Sequence, residues 1–82
     1  MIMTAELSLY PLREGYVEPI EVFISRLRRC DKLTTQTNAM STQIQGESEQ
    51  VFNAVREALE ASGEQFGDQV LVCKFIPKAL SL

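Results

Sequence analysis

The residues with chemistry to offer sit at every second position of two stretches. Thr4, Glu6, Ser8 and Tyr10 alternate with apolar residues near the start, and Ser41, Gln43 and Gln45 alternate in AMSTQIQGE. In an extended chain this spacing puts each set on one face. Hydroxyls, amides, one carboxylate and one phenol can together donate and accept hydrogen bonds in any combination. They suit recognition of a small polar molecule better than bond making. The chain has no histidine, which removes Ser-His-Asp and Cys-His nucleophiles, the common zinc sites and the usual general base. Cys30 and Cys73 form neither a CxxC nor a metal-binding spacing, and two free thiols are expected in a cytosolic protein. An acyl-phosphate hydrolase would draw on Arg13 and Asn38. Its phosphate loop would be PLREGY, whose single glycine, Gly15, is too little for a full cradle of backbone N–H groups. The expectation is a binding protein with no cofactor and no metal, not an enzyme.

Composition narrows the class further. Eighty-two residues allow one small domain, spanning 1–82. With 45% hydrophobic and 23% charged residues, the chain is an ordinary globular one. A net charge of −3 argues against nucleic-acid binding, which needs a field of Lys and Arg. The apolar runs are too short for a membrane span. MIMTAELSLY lacks a basic start and carries Glu6 inside, so it does not read as a secretory signal, and the cytoplasm is the default.

The elements that must position the polar residues follow from periodicity. Ile2–Tyr10 reads as a strand with Met3, Ala5, Leu7 and Leu9 on its buried face, ended by Pro11. Pro19 suits the first turn of a helix with Glu18 and Glu21 near its positive end, and Ile20, Phe23, Ile24 and Leu27 form its apolar stripe. Arg26, Arg28, Arg29 and Lys32 at its far end complement the dipole, with an anion site as the alternative reading. Leu33–Asn38 and Met40–Gln45 read as two strands joined near Asn38-Ala39. A second helix follows Gly46 and Ser48, carries Val51, Phe52, Val55, Ala58 and Leu59, and ends at Ser62-Gly63. Gln69–Ile76 is a last strand, closed by Pro77.

The order β-α-β-β-α-β with right-handed crossovers gives an α+β, ferredoxin-like sandwich: a four-stranded antiparallel sheet with both helices on one face. The first and third strands are central. Thr4, Glu6, Ser8, Tyr10, Ser41, Gln43 and Gln45 then share the open face, while Met40, Thr42 and Ile44 point to the helices. The last strand is apolar on both sides. Either Leu71, Cys73 and Phe75 or Val70, Val72 and Ile76 must face outward. A small core, a bare sheet face and unpaired edges together predict self-association as a homodimer or homotetramer.

The segment AELSLYPL at Ala5–Leu12, followed by TNAMSTQIQGE at Thr37–Glu47, resembles the YkoF-like thiamine and hydroxymethylpyrimidine-binding family. Thr42, Gly46 and Glu47 match that family's Thr followed four positions later by Gly-Glu. The resemblance implies a ferredoxin-like fold, binding of a thiamine-type molecule without chemistry, and oligomeric assembly. YkoF-type chains carry two such domains in tandem. With one, this chain would need a homodimer to supply the second. The residue types agree with such a ligand. Ser8, Asn38, Ser41 and Thr42 would fix an aminopyrimidine edge, Glu6 or Glu47 would supply charge, and Tyr10 would stack. Each also has a plainer role: Ser8 and Ser41 as wet strand residues, Thr42 as core, Glu47 as a helix cap and Asn38 as a turn residue.

Overall fold

The computed structural model describes residues 1–82. Its elements are β1 (Ile2–Pro11), α1 (Val17–Arg28), β2 (Thr34–Thr37), β3 (Thr42–Glu47), α2 (Ser48–Phe66) and β4 (Gln69–Ile76). The sheet runs β2-β3-β1-β4, antiparallel throughout. This is the ferredoxin-like arrangement, with β1 and β3 at the centre.

The alternation in β1 sets the layers. Met3, Ala5, Leu7 and Leu9 are buried and join Ile44 of β3 with Phe23 and Leu27 of α1 and Val51, Val55 and Ala58 of α2. Phe23 and Leu27 are one helical turn apart, so both reach the same sheet. Pro19 lies in the first turn of α1, where its missing N–H costs no helical hydrogen bond. Glu18 stands at the positive end of that helix, and Arg26 and Arg28 at the negative end. Phe52 is not part of the core. It stacks on Phe75 at the sheet edge, with ring centroids 4.7 Å apart.

Three boundaries differ from the sequence reading. Met40 does not alternate with Thr42 and Ile44 in a strand; it is 86% exposed. Asn38 Oδ1 accepts from the N–H groups of Met40 at 2.8 Å and Ser41 at 3.1 Å. The Asn38 N–H donates to the Ser41 carbonyl at 3.0 Å. These bonds close the turn from Asn38 to Ser41, so β2 stops at Thr37 and β3 starts at Thr42.

Secondly, α2 runs through Ser62 and Gly63 to Phe66. Ser62 is buried and donates to Gln69 Oε1 at 2.8 Å, while Gln69 Nε2 donates to the Leu59 carbonyl at 3.0 Å. Those side-chain bonds from β4 hold the last turns. Gly67, at φ +88°, ends the helix instead. Thirdly, β3 continues to Glu47 through Gly46. A Cβ there would lie 2.9 Å from Leu33 Cδ2 and 3.0 Å from the Lys32 carbonyl oxygen, so only glycine allows that approach.

Beyond Ile76 the chain turns back over the open sheet face. Thr4 Oγ1 donates to the Lys78 carbonyl at 2.8 Å. The Gln45 amide grips Leu80 at both ends, accepting from its N–H at 2.7 Å and donating to its carbonyl at 3.0 Å. Thr4, an open-face residue by parity, is thereby 97% covered, with 3% of its surface left exposed. No helix is long and apolar enough to cross a membrane.

Candidate functional site

Register fixes what faces what. Thr4, Glu6, Ser8 and Tyr10 pair with Ile76, Lys74, Val72 and Val70, so those four β4 residues share the open face. Leu71 and Cys73 pack against the core instead. Half-burial there pushes the Cys73 thiol above its ordinary pKa, because the thiolate would lose solvation. Val70 and Val72, each 47% exposed, form an apolar strip beside the polar central strands.

At the centre of the open face lies a cavity of about 260 Å³, lined by Glu6, Ser8, Tyr10, Met40, Ser41, Val72 and Lys74. Its polar groups form a connected chain. Gln43 Nε2 donates to Ser41 Oγ at 2.7 Å, and Ser41 Oγ donates to Glu6 Oε2 at 2.8 Å. Lys74 Nζ sits 3.6 Å from the other oxygen, Glu6 Oε1. The carboxylate is thus aimed from both sides, yet its side chain stays 43% exposed and can accept further donors. Tyr10 supplies an exposed aromatic ring at the rim, and Ser8 a hydroxyl that can donate or accept.

A second cavity, about 230 Å³, opens behind the turn. Leu7, Leu9, Ile20, Phe23 and Ile24 make its floor and the Asn38–Ser41 turn its lip. It shares Ser8, Tyr10, Met40 and Ser41 with the first. The sequence-derived set therefore divides. Glu6, Ser8, Tyr10 and Ser41 come together on the open face. Asn38 is the turn residue, its side-chain oxygen committed to Met40 and Ser41. Thr42 is buried on the helix side, its hydroxyl 3.0 Å from that of Thr37, and it lines the second cavity with Ser8, Tyr10, Asn38 and Ser41. Glu47 lies at the opposite end of β3, across from Ile2, with its carboxylate 3.0 Å from the N-terminal amine. The structure does not bring Glu47 to the others.

Lys74 and the segment after Ile76 were not foreseen as parts of the site; Gln43 was placed on the open face but given no contact in it. Lys74 carried a signal, being the one charged residue in QVLVCKFI. The residues of the hydrolase alternative have other engagements. The Arg13 guanidinium lies 5.6 Å from the Phe66 ring centroid, and its Nε donates to the Glu14 carbonyl at 3.0 Å.

Solved structures share the fold. A Streptococcus pneumoniae protein superposes with a TM-score of 0.88 at 22% identity, covering 98% of this chain and 90% of its own. A Thermotoga maritima protein, provisionally described as a thiamine biosynthesis/salvage protein, gives 0.85 at 20% identity, covering 95% and 85%. A hypothetical protein from Methanocaldococcus jannascii gives 0.82 at 24% identity, covering 99% and 84%. No curated protein matches the sequence. The profile of the YkoF-related family matches residues 2–76, which takes in every strand and both helices; the chain belongs to the YkoF-related family.

Proposed function

We propose that this protein binds a thiamine-type molecule, thiamine or its hydroxymethylpyrimidine half, on the open sheet face and performs no chemistry on it. The observation that carries this reading is the Ser41–Glu6 contact at 2.8 Å, inside a cavity that also presents Ser8 and Tyr10. An aminopyrimidine offers an amino donor and ring-nitrogen acceptors. The Glu6 carboxylate takes the amino group, the Ser8 hydroxyl meets a ring nitrogen, and the Tyr10 ring covers a flat face. A cationic thiazolium is attracted by Glu6. Family membership and the thiamine-related neighbour support the same ligand class. The exposed Val70–Val72 strip supports the further reading that the protein works as a homo-oligomer.

A thermal-shift series with thiamine, its phosphates and free hydroxymethylpyrimidine tests the proposal. A ligand at about 100 times its Kd adds about 2.7 kcal/mol to the folded state. For a domain of this size that raises Tm by roughly 10 °C or more. An unmoved Tm for all of them at millimolar concentration contradicts the proposal.

A further inference from the structure

The open face holds two compartments, and one salt bridge divides them. The Glu6–Ser41 cavity lies on one side. On the other is an apolar trough of about 280 Å³, lined by Thr4, Glu6, Gln43, Lys74, Ile76 and Leu80 among others. Glu6 and Lys74 belong to both. Leu80 and Leu82 also line the trough, and they come from the segment that folds back after β4. That segment is held by side chains, not by a strand ladder. Gln45 uses both ends of its amide on the Leu80 backbone, and Thr4 donates to the Lys78 carbonyl. Thr4 Oγ1 also lies 3.1 Å from Gln45 Oε1, so its single proton is shared between that oxygen and the Lys78 carbonyl and the two anchors are linked to each other.

The partition is a weak one. Lys74 is 78% exposed and meets Glu6 at 3.6 Å, a pair worth little in water and easily exchanged for another cation. A cation arriving beside Glu6 Oε1 can take the place of Lys74 Nζ without leaving a carboxylate unpaired. The trough beyond is apolar, sized for one small ring, and floored by Ile76 with Leu80 and Leu82 as its wall.

From this geometry we infer that segment Pro77–Leu82 is the specificity wall of an extended site. It holds the second, cationic ring of a two-ring ligand whose first, neutral ring sits at Glu6, Ser8 and Ser41. This rests on the ligand class proposed above. It adds the claim that discrimination between one ring and two resides in the Gln45–Leu80 clamp.

The test compares thiamine with free hydroxymethylpyrimidine by calorimetry, on the full chain and on Gln45→Ala and Leu80→Ser. Hydrogen exchange at the Leu80 amide reports whether the segment is released. Gln45→Ala is expected to speed that exchange and to weaken thiamine by about fivefold or more, the worth of lost hydrogen bonds and packing. Hydroxymethylpyrimidine affinity should stay within about twofold, since its groups lie outside the trough. Leu80→Ser trims the wall, leaves the clamp in place, and should show the same selective loss. Thiamine affinity unchanged or tighter in the variants overturns the inference, as does an equal loss for both ligands. Absence of binding by either ligand to the unaltered protein instead rejects the ligand class, and the wall with it.

Discussion

Glu6 and Lys74 stand opposite each other across the β1–β4 ladder, with Nζ 3.6 Å from Oε1, while Ser41 holds the second carboxylate oxygen at 2.8 Å. The three residues come from β1, β4 and the end of the β2–β3 turn. Only the folded sheet brings them together. One carboxylate thus has a fixed neutral partner and a movable cationic one.

That asymmetry predicts an effect of Lys74→Met that depends on ligand charge. Removing the ammonium frees Glu6 for a cationic ring, so thiamine should bind a few-fold tighter, within the range of about 1 kcal/mol set by an exposed ion pair. Neutral hydroxymethylpyrimidine should be nearly indifferent. Calorimetry on both ligands at low and high salt checks this, because the thiamine gain should shrink as salt screens the charges.

Two glycines should respond in opposite directions to alanine. At Gly46 the new methyl would meet Leu33 Cδ2 at 2.9 Å and the Lys32 carbonyl oxygen at 3.0 Å. Gly46→Ala should therefore cost about 1–3 kcal/mol, as overpacking does. At Gly63, inside α2, the nearest atom would be Gln69 Nε2 at 3.6 Å, an ordinary contact. Gly63→Ala should stabilise by roughly 0.5–1 kcal/mol through helix propensity. Urea unfolding of the two variants gives the signs directly.

Much of the fold was legible because its signals were local. The period of two in Met3, Ala5, Leu7 and Leu9, the helical stripe of Phe23 and Leu27, and Pro19 at a helix start each read from a few neighbouring residues. What escaped depends on distant partners. Gly63 looks like a helix end, yet Ser62 is tied to Gln69 from β4 and the helix runs on. Met40 has strand parity, but the Asn38 side chain closes a turn beneath it. The site behaves the same way. Glu6, Ser8, Tyr10 and Ser41 share a face by parity alone, whereas Lys74 needs the β1–β4 register and the Gln45–Leu80 clamp needs the path of the chain beyond Pro77. Glu47 matched a motif by spacing, but the strand carries it to the far end of the sheet.

The apolar strip on β4 predicts self-association. Val70 and Val72 are exposed side by side with Ser8 and Tyr10 across the ladder. Val72→Asp would place a carboxylate in that strip and should shift an oligomer toward monomer without unfolding it, since Val72 points away from the core. Light scattering after size exclusion, at tens of micromolar, reads the mass. If the unaltered chain already elutes near 9.2 kDa, the strip is a wet surface and no interface.

The most direct measurement is a calorimetric titration of hydroxymethylpyrimidine into the unaltered protein, Ser41→Ala and Thr42→Val. These neighbouring residues face opposite ways, Ser41 toward Glu6 and Thr42 toward Thr37 behind the turn. Ser41→Ala should lose about 1–3 kcal/mol of binding, roughly 5- to 150-fold, by releasing Glu6. Thr42→Val should keep the affinity and lose only stability. Affinity unmoved by Ser41→Ala but lost in Thr42→Val would move the ligand to the cavity behind the turn and contradict a site built on Glu6.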